Sequence, residues 1–371
     1  MAGRHAETEW SSRVTASPVG SRFSAPLSTW VQSQWLGPTP SAGARLLQPM
    51  AWLYAALANM HRAAYRIGLR RVQRAPVPLL VVGNLVAGGA GKTPAVMALI
   101  ESLRRQGWTP GVISRGHGRR KRSVQAVSRF STATEVGDEP LLIHLRSGAA
   151  VVVGADRSAA ALALCAAHPE VDLLLADDGL QHHRLHHDMA IWVFDDRGAG
   201  NKLGLPAGPL RQAVPKTLPP HTLVLYNAAK ASTALPGLCG ARRLGRLLPL
   251  SDWWQGLQQE DSDAGNWEAL RGRRVLAAAG LARPEAFFGM LEAQGLRIDR
   301  LPLPDHHGFD PLPWPAGTAD LIVTEKDAVK LPPAAVGNTR VWVATLDFQP
   351  EPAFDAALRA LCAPFKPPHE P

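Results

Sequence analysis

Leu79-Leu80-Val81-Val82-Gly83-Asn84-Leu85-Val86-Ala87-Gly88-Gly89-Ala90-Gly91-Lys92-Thr93-Pro94 decides the fold. The apolar, β-branched run from Val77 to Val82 suits a strand buried on both faces. It enters a glycine-rich loop that closes on Gly-Lys-Thr, and a helix-forming segment, Ala95 to Arg105, follows. Glycines let successive backbone N–H groups turn toward one anion. Lys92 can then reach the β- and γ-phosphates of a nucleotide, and the Thr93 hydroxyl can ligate Mg²⁺ at the helix start. A strict phosphate-binding loop would have its first glycine where Val86 stands, so the flanking strand and helix carry the reading. The nucleotide-binding set is Gly88, Gly89, Ala90, Gly91, Lys92, Thr93 and Pro94.

A second apolar run, Val171-Asp172-Leu173-Leu174-Leu175-Ala176-Asp177-Asp178-Gly179, ends in two carboxylates. Parallel strands of a doubly wound sheet end on one edge, so Asp177 and Asp178 can face the loop and hold Mg²⁺ beside the phosphates. Further strands are expected near 110–115, 149–154, 189–195 and 221–226, alternating with helices over 92–106 and 156–168. The pattern loosens from Ala228 to Gly240 and resumes with strands near 273–280, 296–303, 320–324 and 339–346. The fold class is therefore α/β: a P-loop NTPase-like, doubly wound, mainly parallel sheet with a second, smaller α/β domain and an N-terminal amphipathic helix. We divide the chain into a disordered extension (1–27), an N-terminal membrane-interfacial helical region (28–74), a nucleotide-binding domain (75–235) and a C-terminal domain that closes the cleft (236–371).

The 371 residues are 46% hydrophobic, enough for a large core. Three cysteines, Cys165, Cys239 and Cys362, lie far apart and suggest neither a disulfide framework nor a zinc ribbon. The formal charge of +9 implies an anionic partner. The basic clusters, Arg70-Arg71 with Arg74 and Arg119-Arg120-Lys121-Arg122, come without a zinc-finger or aromatic RNA-binding signature, so no nucleic-acid partner is expected. From about Ala44 to Leu69, Leu46, Met50, Leu53, Leu57, Met60, Ala64 and Ile67 share one helical face, and Arg62, Arg66, Arg70, Arg71 and Arg74 accompany and follow it. The charge-free part is shorter than the ~20 residues that span a bilayer. Two readings stay open: a helix lying in a membrane interface, arginines on anionic headgroups, or a helix packed on its own domain.

Several motifs join the first two in order: Ser114-Arg115-Gly116, Gly137-Asp138-Glu139-Pro140, Asp177-Asp178-Gly179-Leu180-Gln181-His182, Gly200-Asn201, Leu205-Pro206-Ala207-Gly208-Pro209-Leu210-Arg211, Pro304-Asp305-His306 and Thr324-Glu325-Lys326-Asp327-Ala328-Val329-Lys330. Together they resemble the tetraacyldisaccharide 4′-kinase family, the lipid A 4′-kinases of Gram-negative bacteria, from Trp30 to about Ala363. The resemblance implies ATP-dependent, Mg²⁺-assisted phosphorylation of the 4′-hydroxyl of a glycolipid, tetraacyldisaccharide 1-phosphate. It also implies a peripheral or monotopic location at the anionic cytoplasmic face of the inner membrane. Asp138 and His306 would activate the sugar hydroxyl, Lys92 would contact the phosphates, and Thr93, Asp177 and Asp178 would serve the metal.

This chain has Gln212 where the family has glutamate, so Gln212 is a candidate metal ligand that carries one negative charge less. His117 replaces the usual tyrosine. His182, His183, His186 and His187 tempt a zinc assignment, but beside a Mg²⁺ site they read better as surface and supporting groups. The alternative function is a deviant P-loop regulatory ATPase on the membrane; Ala87 stands where that class has its signature lysine. Oligomeric state is left open.

Overall fold

A computed structural model describes residues 30–35, 37, 39–89, 91–119, 121–256 and 267–366. The 1–27 extension, Ala90 of the loop and Arg120 of the basic cluster lie outside the described residues. Twelve strands form one sheet: β1 Leu79–Gly83, β2 Pro110–Ser114, β3 Gln125–Ala126, β4 Val151–Val153, β5 Leu173–Asp177, β6 Met189–Asp195, β7 Thr222–Asn227, β8 Leu238–Pro249, β9 Arg274–Ala279, β10 Arg297–Pro302, β11 Asp320–Thr324 and β12 Arg340–Pro350. Their order is β10-β9-β11-β12-β8-β7-β6-β1-β5-β2-β4-β3. Neighbours run parallel except at β12–β8 and β3–β4.

Central strand β1 shows why its sequence is apolar at every position. Leu80 and Val82 face one core, shared with Val96, Leu99 and Leu103 of the helix Lys92–Arg105. Leu79 and Val81 face the other, with Ala160 and Leu164 of the helix Arg157–Ala167. A strand covered by helices on both faces has no room for polar alternation. The register pairs Val82 with Asp177, which sets the two motif-bearing strand ends side by side at the carboxyl edge of the sheet, where ligands of doubly wound folds bind.

The sheet is continuous across residue 236, which falls in the link between β7 and β8. Strand β8 pairs in parallel with β7 over Leu238 to Gly240 and antiparallel with β12 from Gly240 to Pro249, so it belongs to both halves. The chain then returns: the helix Ala353–Cys362 packs Phe354, Leu358 and Leu361 into the core that holds Leu99 and Leu103 of the first half. A deep connection joins the halves near the site. Arg146, on the helix Asp138–Ser147, donates to Glu325 at 2.6 Å and to Asp347 at 2.7 Å. Burial opposes its charge, but the two carboxylates outweigh that and raise its pKa. Glu325 also accepts from the Trp253 indole and the Leu346 backbone, so its buried charge is fully hydrogen-bonded.

The 44–69 helix appears as two pieces, Ala42–Leu46 and Gln48–Arg66. In the longer one only Ala51 is buried, while Met50, Trp52, Leu53, Leu57 and Met60 are exposed. No described helix is long and apolar enough to cross a membrane.

Candidate active site

The loop after β1 is held open by its own polar groups. Asn84, fully buried, donates to the Gly88 carbonyl at 3.1 Å and accepts from Lys92 Nζ at 3.4 Å. Gly91 takes a left-handed conformation (φ 74°) just before the helix Lys92–Arg105, and a Cβ there would overlap the Asn227 amide. The helix N-terminus, with Lys92 at its first position and Thr93 at its second, faces a cavity of about 1750 Å³. Gly88, Gly89, Gly91, Lys92, Thr93 and Pro94 all line it, as do Glu139, Asp305 and Lys326. Ordinary ligand pockets run ~300–1,000 Å³, so two substrates can share this one.

The carboxylates differ in state. Asp178, at φ 53°, lies 3.5 Å from Lys92 and accepts from Arg211 at 3.0 Å. Burial works against its charge, but Lys92 and Arg211 outweigh it and hold the carboxyl below the usual range. Asp177 is 2% exposed and its Oδ1 has no partner among the described residues. Burial, then the nearby Glu139, pushes it up to about 7. A buried carboxylate oxygen without a hydrogen bond among the described residues, beside a second carboxylate and within the field of Lys92, suits a hard divalent cation. Among the described residues no three acidic, imidazole or thiol groups converge as an all-protein cage. Mg²⁺ needs none, being held by one or two carboxylates together with phosphate oxygens and water.

The chain that follows the Pro-Ala-Gly-Pro loop separates its two polar side chains. Arg211, whose amide donates to the Leu85 carbonyl, turns to Asp178 and Gln181. Its neighbour Gln212 takes another partner: its Oε1 accepts from Arg62 of the helix Gln48–Arg66 at 3.2 Å. We therefore expect Gln212→Glu to leave the Mg²⁺ concentration for half-maximal activity unchanged and to form a partly exposed ion pair with Arg62 of about 0.2–1 kcal/mol. A Mg²⁺ titration at saturating ATP and lipid checks this; a lowered midpoint would bring residue 212 into the metal shell.

Asp138 and His306 are 168 positions apart and meet at 3.0 Å, Oδ2 to Nδ1. Two glycines permit the approach on one side: at Gly116 (φ 66°) a Cβ would come within 2.5 Å of the Val136 carbonyl, and Gly137 (φ 96°) lies against Gly116 itself. This puts Asp138 at the first turn of the helix Asp138–Ser147, beside the Arg115-Gly116-His117 corner. On the other side His306 is held at φ 60°, a strained conformation for a residue with a side chain. Its ring stands 5.9 Å from that of His117. The hydrogen bond with Asp138 raises its pKa; burial and Lys326 oppose the rise, and Asp305 supports it.

Several residues here had no role in the sequence reading. Arg157 is buried, donates to the Asp178 carbonyl at 3.4 Å and leaves Nε unpartnered among the described residues. Lys330 stands 3.2 Å from Asp327 and 3.9 Å from Asp138. The signal lay in the dense charges of Glu325 to Lys330 directly after an apolar strand, two of which, Glu325 and Asp327, are buried. The four histidines of 182–187 face different neighbours: His183 packs near His61 and Tyr65, and His186 reaches Asp188 at 3.4 Å. Burial first, and then nearby arginines, pushes His182 and His183 down to about 4.

A family model described as tetraacyldisaccharide-1-P 4′-kinase matches residues 43–363. The tetraacyldisaccharide 4′-kinase of Methylibium petroleiphilum is 53% identical over 362 residues, covering 96% of this chain and 100% of that one. The protein of the same name from Leptothrix cholodnii is 52% identical over 322 residues, 85% of this chain and 92% of that one. Among solved structures, LpxK from Aquifex aeolicus in complex with ATP superposes with a TM-score of 0.70 at 25% identity, covering 87% of this chain and 99% of that one.

Proposed function

Because the chain belongs to the tetraacyldisaccharide-1-P 4′-kinase family, we propose how its residues divide the work of that reaction. The protein is a lipid kinase that transfers the γ-phosphoryl group of ATP to the 4′-hydroxyl of tetraacyldisaccharide 1-phosphate, a step of lipid A biosynthesis, with Mg²⁺. Family membership leaves the regulatory-ATPase alternative without support.

In our reading the loop 88–94 cradles the phosphates, with Lys92 on the β- and γ-phosphates. Thr93, Asp177 and Asp178 would hold Mg²⁺, which when bound neutralises charge on the transferring group. Asp138 accepts the proton as the 4′-oxygen bonds to the γ-phosphorus and the bond to the β,γ-bridging oxygen breaks, the electron pair leaving with ADP. His306 orients the Asp138 carboxylate. The observation supporting this division is the 3.0 Å Asp138–His306 contact, formed between the two halves, whose sequence neighbours Glu139 and Asp305 line the same cavity as the loop. Purified protein in detergent micelles with γ-labelled ATP, Mg²⁺ and tetraacyldisaccharide 1-phosphate should yield a bis-phosphorylated lipid. No transfer, under conditions that activate the Methylibium relative, would overturn the reading.

The helix Gln48–Arg66 docks the enzyme on the anionic inner-membrane surface, at its cytoplasmic face. Its exposed Met50, Trp52, Leu53, Leu57 and Met60 form an unpartnered apolar face, and Arg62, Arg66, Arg70 and Arg71 lie at its carboxyl end. Each buried large side chain is worth ~1.5–3 kcal/mol and each arginine near an anionic surface ~1 kcal/mol. Leu53→Glu with Leu57→Glu is expected to move the protein from membrane pellet to soluble fraction and to raise KM for micellar lipid more than KM for ATP. Point changes test this better than deletion of 1–73, because Trp35 donates to the Pro206 carbonyl and Asn201 to that of Gln34. Unchanged partitioning would favour a helix that serves its own domain.

A further inference from the structure

His306 carries a neighbour on each ring nitrogen, and the second is not explained by hydroxyl activation. Nδ1 meets Asp138, while Nε2 lies 3.3 Å from Lys326 Nζ. An ammonium can only donate, so this contact requires a lone pair on Nε2. A lysine ammonium can make it only with a neutral imidazole whose proton sits on Nδ1, directed at Asp138. Lys326 is fixed in turn by Asp305, whose Oδ1 accepts from it at 3.0 Å and also from the His306 backbone amide.

We propose that Lys326 is a positioning residue of the reaction: its ammonium, anchored by Asp305, selects the His306 tautomer that leaves the Asp138 carboxylate free to accept the substrate proton. This rests on the reading of Asp138 and His306 above and adds a third member to the pair. Were Nε2 protonated instead, an imidazolium would face an ammonium at 3.3 Å. It would also bind the Asp138 carboxylate as an ion pair and make it a weaker base. The groups facing His306 are Asp138 from the helix Asp138–Ser147, His117 from the corner after β2, Lys326 from the turn after β11, and Asp305 of its own loop. Lys330 stands behind, 3.9 Å from Asp138. Asp138 and Asp305 favour the imidazolium, and Lys326 opposes it.

The direction of the effect follows. Loss of the ammonium stabilises protonated His306, so the acid limb of the kcat/KM profile should move to higher pH. An opposite or like charge at this range changes a titration by ~1–3 pH units. We expect Lys326→Gln to move the limb up by about one pH unit, costing about tenfold in rate at a pH below both limbs. Lys326→Arg, which keeps the charge, should restore the limb.

A second readout needs no turnover. In the full-length protein in micelles, the histidine ring resonance that disappears in His306→Ala should titrate at higher pH in Lys326→Gln and at its original pH in Lys326→Arg. An unmoved limb and an unmoved resonance in Lys326→Gln would overturn the proposal. So would a raised KM for ATP at every pH without a moved limb, the mark of a phosphate ligand. An equal shift in both variants would also overturn it, since charge would then not be the agent. The underlying pair is judged separately: if His306→Ala itself turned over normally, the reading of Asp138 and His306 would fail whatever Lys326 does.

Discussion

In Asp138→Asn and in His306→Ala, kcat is expected to fall by about 10²–10⁴-fold, the usual worth of a positioned general base, and the double variant should be little slower than the slower single. Atoms 3.0 Å apart that handle one proton form a unit, and removing either end disables the other. The Asp138→Asn change puts a neutral amide, which cannot take a proton, where the carboxylate stood. The His306→Ala change leaves the carboxylate in place with nothing to set its orientation. Steady-state rates for the three variants at saturating ATP and lipid decide the matter. Losses that multiply would show two independent contributions and would break the unit apart.

Lys92→Ala should slow transfer by about 10³-fold or more, since its ammonium answers the charge that builds on the phosphoryl group as it moves. The fold should survive. Among the described residues the Lys92 ammonium meets Asn84 and Asp178, which keep other partners in Gly88 and Arg211. Single-turnover transfer from γ-labelled ATP, read beside a thermal melt, separates lost chemistry from lost structure. A near-normal rate would remove Lys92 from the phosphate site.

The parts of this molecule that were legible from its sequence are those governed by local rules. Strands β1, β5, β6 and β11 are short apolar runs bounded by turn residues, and the two helices that cover β1 follow directly from a glycine loop and from the Asp156 cap. Strand β8 escaped notice. Arg242, Arg243 and Arg246 interrupt its apolar pattern, and Gly240 and Gly245 read as breaks. It is held by two partners in succession, β7 over Leu238 to Gly240 and β12 from Gly240 to Pro249, a non-local fact, with Arg242 donating to Asn227 at 3.1 Å. The glycine loop and the Asp177–Asp178 pair could be set at neighbouring strand ends from motifs alone. Asp138 and His306 needed the resemblance, because no spacing rule links positions 168 apart. Arg146 and Arg157 went unseen, and Lys326 was quoted in its motif without a role, for the same reason: each is an ordinary charged residue until the fold supplies its partner.

The return of the helix Ala353–Cys362 to the first half has a consequence for how the protein is made. A ribosome delivers the phosphate loop first, yet the core that holds Leu99 and Leu103 also takes in Phe354, Leu358 and Leu361, which emerge only after the strands of the second half. Throughout translation of the second half, the first must wait with an apolar groove open to water, a species prone to wrong association. Ser102, Arg105 and Gln106, all bonded to Asp355 in the finished protein, meanwhile lack that partner. The nucleotide-binding half is thus completed by residues made after the strands of the second half, and a nascent chain stalled near residue 350 would expose this groove to chaperones and proteases.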